Sequence, residues 1–166
     1  MISFRKKLAA LSLAAAIVPA FTVDALAADA TANASADVIQ AIAVTKDADL
    51  GFGSIVSDAT NADTVDIATT GTRTCGVNLT CTGATTAAAF TVAGAASQAF
   101  AVTLPANATL SSGGNSMTVD GFVDDAGTNL DGSGAAAFAV GATLNVGANQ
   151  VAGNYTGTFD VTVDYN

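Results

Sequence analysis

The sequence predicts an all-β sandwich, and three observations carry that expectation. The run from Asn154 to Asn166 puts Tyr155, Phe159, Val161, Val163 and Tyr165 on one parity and Thr156, Thr158, Asp160, Thr162 and Asp164 on the other. A strand turns successive side chains to opposite faces, so this run has a dry face and a wet face. Short runs rich in β-branched and aromatic residues recur along the chain, separated by Gly-, Asn- and Asp-bearing turns. No amphipathic helical period of useful length follows residue 27. The C-terminal run alternates most cleanly and with the largest side chains, so it is expected to be a central or near-central strand.

Residues 1–27 read as an export signal, expected to be helical. Arg5, Lys6 and Lys7 precede an apolar stretch from Leu8 to Val18, and Ala25-Leu26-Ala27 fits a small-x-small cleavage pattern. An uncleaved membrane anchor is the alternative, disfavoured because the stretch is short for a bilayer and the chain turns polar at once. No later stretch is long and apolar enough for a helical span, so none is expected after cleavage.

Residues 28–37 form an extended N-terminal arm, and residues 38–166 a single β-sandwich domain. From Ala28 to Val44, alanines and then Val38, Ile42 and Val44 hold one parity, while Asp29, Thr31, Asn33, Ser35 and Asp37 take the other. At strand rise the segment reaches about 55 Å, long for one strand of a compact domain. Two arrangements fit. Ala30, Ala32, Ala34, Ala36 and Val38 belong to a donor arm that pairs with another subunit's sheet edge, or the arm is a frayed tail before a first strand near Val38 to Thr45.

Leu50, Phe52 and Ile55 are expected to point inward, with Gly51 and Gly53 allowing a bulge. Thr64 to Ala68, Ala88 to Ala93, Phe100 to Leu104 and Met117 to Val123 read as strands. Phe138 to Val140 and Ala142 to Val146 read as two further short ones. The segments from Asn107 to Asn115 and from Asp124 to Gly134 read as loops.

Loss of the leader would remove three of the five cations and one of the fourteen acids. The side-chain charge then moves from −9 to −11, leaving Lys46 and Arg73 against thirteen aspartates. Such a surface repels nucleic acid and anionic membranes. The chain has no His and no Glu, so general acid–base machinery is hard to build, and it is expected not to be an enzyme and to need no cofactor. Cys75 and Cys81 are close in sequence in a chain expected to be exported, so an intrachain disulfide is the default, with metal ligation the alternative. Asp125, Asn129 and Asp131 place oxygens at alternate positions that resemble a calcium loop, but the EF-hand template fails for want of an acid at position three and a closing Glu. The simpler reading is turn chemistry.

Several motifs in order resemble one bacterial secreted family. They are Leu50-Gly51-Phe52-Gly53-Ser54-Ile55, Phe90-Thr91-Val92-Ala93-Gly94, Phe100-Ala101-Val102-Thr103-Leu104-Pro105, Val140-Gly141-Ala142-Thr143-Leu144-Asn145-Val146, and Gly153-Asn154-Tyr155-Thr156-Gly157-Thr158-Phe159 on to Tyr165-Asn166. Together they are similar to the domain-of-unknown-function 4402 family, itself similar to spore coat U domains and archaic chaperone–usher pilins. The resemblance implies an immunoglobulin-like antiparallel β-sandwich in a Gram-negative periplasm, on the cell surface or outside the cell. It implies a fimbrial, pilus-like subunit that lacks one strand, is held first by a periplasmic chaperone, and self-associates by strand exchange. Carried onto this sequence, Tyr155, Phe159, Val161, Val163 and Tyr165 would line or flank the acceptor groove. Because the arm has no bulky anchor, a self-completed monomeric binding module, with calcium at the Asp125 loop, is the second expectation.

Overall fold

The computed structural model describes residues 28–166; the expected signal peptide lies outside them. Residues 28–36 are all exposed and carry no strand pairing. The unit from Asp37 to Asn166 holds eleven strands: β1 (Ala43–Ala48), β2 (Ser54–Val56), β3 (Asp63–Ile67), β4 (Arg73–Cys75), β5 (Thr80–Thr82), β6 (Ala88–Ala93), β7 (Phe100–Thr103), β8 (Asn107–Ser112), β9 (Asn115–Asp124), β10 (Ala135–Val146) and β11 (Thr162–Tyr165). Every strand pairing between them is antiparallel, and no helix occurs among the described residues.

The organising strand is β10, one run of 12 residues where the sequence suggested two short ones. Along it Phe138, Val140, Ala142, Leu144 and Val146 are buried on one face. Gly141 kept the two halves apart in the sequence reading; in the structure it is the changeover point. One edge of β10 pairs with β6 over Ala135 to Val140 and then with β3 over Ala142 to Val146, while the other edge pairs with β9. A Cβ at Gly141 would strike the carbonyl oxygen of Ile67, so only glycine lets the chain at the end of β3 pass this close. With β1 beyond β6, β4 beyond β3, and β8 beyond β9, these strands make a seven-stranded curled sheet.

The segment read as a loop from Asn107 is in fact β8, a hairpin partner of β9 in register from Asn107↔Asp120 to Ser112↔Asn115. Its two-residue turn is Gly113-Gly114, both at positive φ (55° and 87°). That is the glycine-dependent geometry whose twist matches a tight hairpin. The polar residues of β8 face solvent on an edge strand, which hid its alternation.

Facing this sheet are two short ribbons, β2–β5 and β7–β11. Each covers one half of the core. Phe52, Val65, Ile67, Leu79, Val119 and Leu144 pack with Ile55 and the two cysteines at the first. Phe90, Val92, Phe100, Phe138, Val140 and Val163 pack together at the second, with Phe90 and Phe138 stacked at 5.3 Å. Leu50 and Phe122 touch both clusters. The result is an antiparallel β-sandwich with one continuous layer and one divided layer. No polar or charged residue lies in the core among the described residues.

Candidate functional site

Between the two ribbons the second layer is open. A groove of about 1100 Å³ runs there, lined on one side by Lys46 and residues 48–57 and on the other by residues 150–161. Its floor is the inner face of the large sheet, including Phe90, Leu110, Met117, Phe122 and Leu144.

The two walls run in opposite directions. At one end Asn149 N–H donates to the Asp58 carbonyl at 2.7 Å and Ser57 Oγ–H donates to the Gln150 carbonyl at 3.4 Å. Towards the other end, Lys46, Ala48 to Leu50 and Asp160-Val161 line the same groove. The closed end is set by local chemistry. Asp58 Oδ1 accepts from the N–H groups of Thr60 and Asn61, each at 2.8 Å, and from the Thr60 hydroxyl at 2.9 Å. These donors, the Thr60 N–H foremost, lower the Asp58 carboxyl to about 2. Across the corner the Tyr155 hydroxyl donates to the Val151 carbonyl and accepts from Gln150 Nε2, both at 2.7 Å.

The first wall is tied to the body of the domain at several points. Gly51 exchanges backbone hydrogen bonds with Thr86, and the Thr86 hydroxyl donates to the Asp49 carbonyl at 2.9 Å. β2 pairs with β5 over Ser54 to Val56, and the Cys75–Cys81 disulfide joins β5 to β4. Arg73 Nη1 on β4 donates to the carbonyls of Phe52 (3.2 Å) and Thr82 (2.9 Å).

The second wall is the C-terminal run. Its alternation is as the sequence predicts, but a strand ladder forms only at its end, with one isolated bridge before it. Residues 162–165 pair with β7, and Thr156 exchanges two hydrogen bonds with Ser111 of β8. Residues 157–161 make no backbone ladder. A ladder needs a neighbour at strand distance, and the neighbouring position is the groove. This segment is held by side chains instead: the Phe159 ring sits 4.9 Å from Phe122 and 6.5 Å, edge-on, from Phe90. Gly157 crosses β8 so closely that a Cβ would meet the Thr109 carbonyl oxygen. The run is therefore an edge of the divided layer and not a central strand.

Of the five residues expected at an acceptor groove, Tyr155, Phe159 and Val161 line it. Val163, on β11, is buried in the second core cluster, and Tyr165 packs against the same cluster. Ala30, Ala32, Ala34 and Ala36 are exposed without pairing, and Val38 is 95% exposed. At the loop considered for calcium, Asp125 Oδ1 accepts Ala139 N–H at 2.7 Å, and Asp131 Oδ1 accepts Ser133 N–H, Ser133 Oγ–H and Ala135 N–H at 2.7–2.9 Å. The Asn129 side-chain oxygen accepts from Thr128 at 3.0 Å. Asp131 Oδ1 thus serves its own turn, while Asp125 Oδ1 ties the loop to β10. The sequence reading missed the first wall as a wall, the floor residue Leu110, and Arg73. The Leu50 to Ile55 motif carries a signal in its paired glycines, which its reading as inward-pointing residues, a bulge and a family motif does not turn into a wall.

Residues 42–165 match a family model described as "Domain of unknown function (DUF4402)". Neither the curated proteins nor the solved structures contain a match.

Proposed function

The chain belongs to the DUF4402 family, and from the groove we propose that it is a structural subunit of a pilus-like surface assembly, accepting an extended strand from a neighbouring subunit. The observation that carries the reading is the divided second layer. A sandwich whose layer is interrupted between two extended walls, one of them unpaired over residues 157–161, offers backbone groups to a further strand. The floor beneath is apolar, so a seated strand would bury its inward parity and leave its outward parity in water.

The donor in this reading is the segment Ala28 to Val38 of another copy. It is exposed and unpaired, and it alternates methyl groups with Asp, Thr, Asn and Ser. An exported chain, held by a periplasmic chaperone until assembly and displayed on a Gram-negative envelope, fits this role and the acidic composition. The role is structural and calls for no catalysis and no cofactor.

The test compares the protein beginning at Ala28, taken from its native envelope, with a copy lacking Ala28 to Asp37. Ladders or filaments that disappear with the arm support strand exchange. A monomer whose melting temperature ignores the deletion overturns the reading and leaves a self-complete binding module.

A further inference from the structure

Arg73 is one of two cations facing thirteen aspartates in residues 28–166, yet among the described residues it makes no ion pair. Among the described residues the salt bridge is Lys46 with Asp49. The Arg73 guanidinium is spent on backbone: Nη1 donates to the carbonyls of Phe52 at 3.2 Å, Thr82 at 2.9 Å and Gly83 at 3.5 Å. These acceptors are Thr82, the last residue of β5, with Gly83 just after it and Phe52 just before β2, while Arg73 itself stands on β4 of the large sheet. The chain is shaped to receive it. Gly53 has φ +75°, and a Cβ there would fall against Nη1 and the Thr82 carbonyl oxygen. A charged donor to a carbonyl is stronger than a neutral one, and one planar group that reaches two strands fixes their relative position.

We propose that Arg73 is a positioning residue for the groove, holding the β2 wall at the separation an incoming strand requires. This rests on the strand-acceptor reading. It assigns the guanidinium a task distinct from overall stability, because the ribbon is already attached through its disulfide and through Leu79 and Phe52 in the core. Without Arg73 the domain keeps its sheet and its core, and the wall loses its set position.

The experiment measures ladder formation by the protein beginning at Ala28 as wild type, Arg73→Lys, Arg73→Ala and Val92→Ala, well below every melting temperature. Val92→Ala is the control, since it weakens the core on β6 at a buried residue that does not line the groove. Arg73→Ala is expected to lower assembly about tenfold, Arg73→Lys to retain most of it, and Val92→Ala to assemble as wild type. Hydrogen exchange at the Ile55 and Cys81 amides should quicken in Arg73→Ala while the amides of β10 stay protected. Should Arg73→Ala fail to fold, Arg73→Gln replaces it, with the same expectation. Wild-type assembly by Arg73→Ala, or by Arg73→Gln in its place, overturns the assignment. So does a loss in Val92→Ala equal to that of the Arg73 variant, which would make the effect one of stability. A wild-type protein that never assembles tells against the strand-acceptor reading itself and, with it, this one.

Discussion

The Tyr165 hydroxyl donates to the Gln40 carbonyl at 2.8 Å, tying the last strand to the segment that leads into the first. The same oxygen accepts the Ala95 N–H, and Gly94 lies so close that a Cβ there would strike the hydroxyl. Tyr165→Phe removes the oxygen and keeps the ring. Two hydrogen bonds are lost, so stability should fall by about 1–3 kcal/mol. Denaturant unfolding checks the size, and faster exchange at the Ala95 amide checks the place.

The disulfide closes a short loop, with a sequence separation of 6. By chain entropy it should contribute about 2 kcal/mol. The Cys75→Ser, Cys81→Ser double variant should therefore fold, with a lower denaturant midpoint and an unchanged slope. A protein that fails to fold would show that the bridge holds more than its own loop.

Gly141→Ala should be far more damaging than an exposed glycine change. The added methyl meets backbone at Ile67, Ala68 and Thr69, with no flexible side chain to yield. A loss of about 3 kcal/mol or more is expected. Gly127→Ala, where a Cβ meets nothing, is the comparison and should stay within about 0.5 kcal/mol of wild type.

Acid should weaken the fold through a small set of turns. Asp58 is lowered to about 2 by the Thr60 and Asn61 donors, Asp63 is lowered first by the Asn78 N–H, and Asp131 first by the Ala135 N–H. A carboxyl held below its unfolded value of 3.8 contributes stability above that value and loses it as pH falls through the folded one. The melting temperature should hold from about pH 7 to pH 5 and decline from about pH 4 to pH 2. Neutralising the other aspartates relieves like-charge repulsion across the same range, so a single curve mixes two effects. The difference between wild type and Asp58→Ala isolates the turn: it should narrow as pH approaches about 2.

Much of the fold was legible because parity survives context. Ala88 to Ala93 is a strand with the bounds the pattern gave, and Phe90 and Val92 are buried on one face together with Ala88. Two failures have physical causes. β8 carries Asn, Thr and Ser on an edge, where polar side chains are normal, so only its Gly-Gly turn announced it. The C-terminal run was given a central place because its side chains are large and alternate, but parity reports which face is dry and not how many neighbours a strand has. Phe159 and Val161 are placed by packing, and the missing ladder beside them cannot be seen in their identities. For the site, alternation gave the dry face of Tyr155 to Val161 and the family resemblance alone gave its place at a groove, whereas the opposing wall involves Arg73 meeting carbonyls of residues distant in sequence, which no local pattern shows.

The opposite running directions of the two walls have a consequence for symmetry. Any strand laid between them is parallel to one and antiparallel to the other, so it meets slanted bonds on one flank and perpendicular bonds on the other. Reversing that strand end for end exchanges the two patterns and is not an equivalent fit. The groove therefore distinguishes head from tail, and subunits joined through it would stack with a single polarity, in a contact that is heterologous and open-ended.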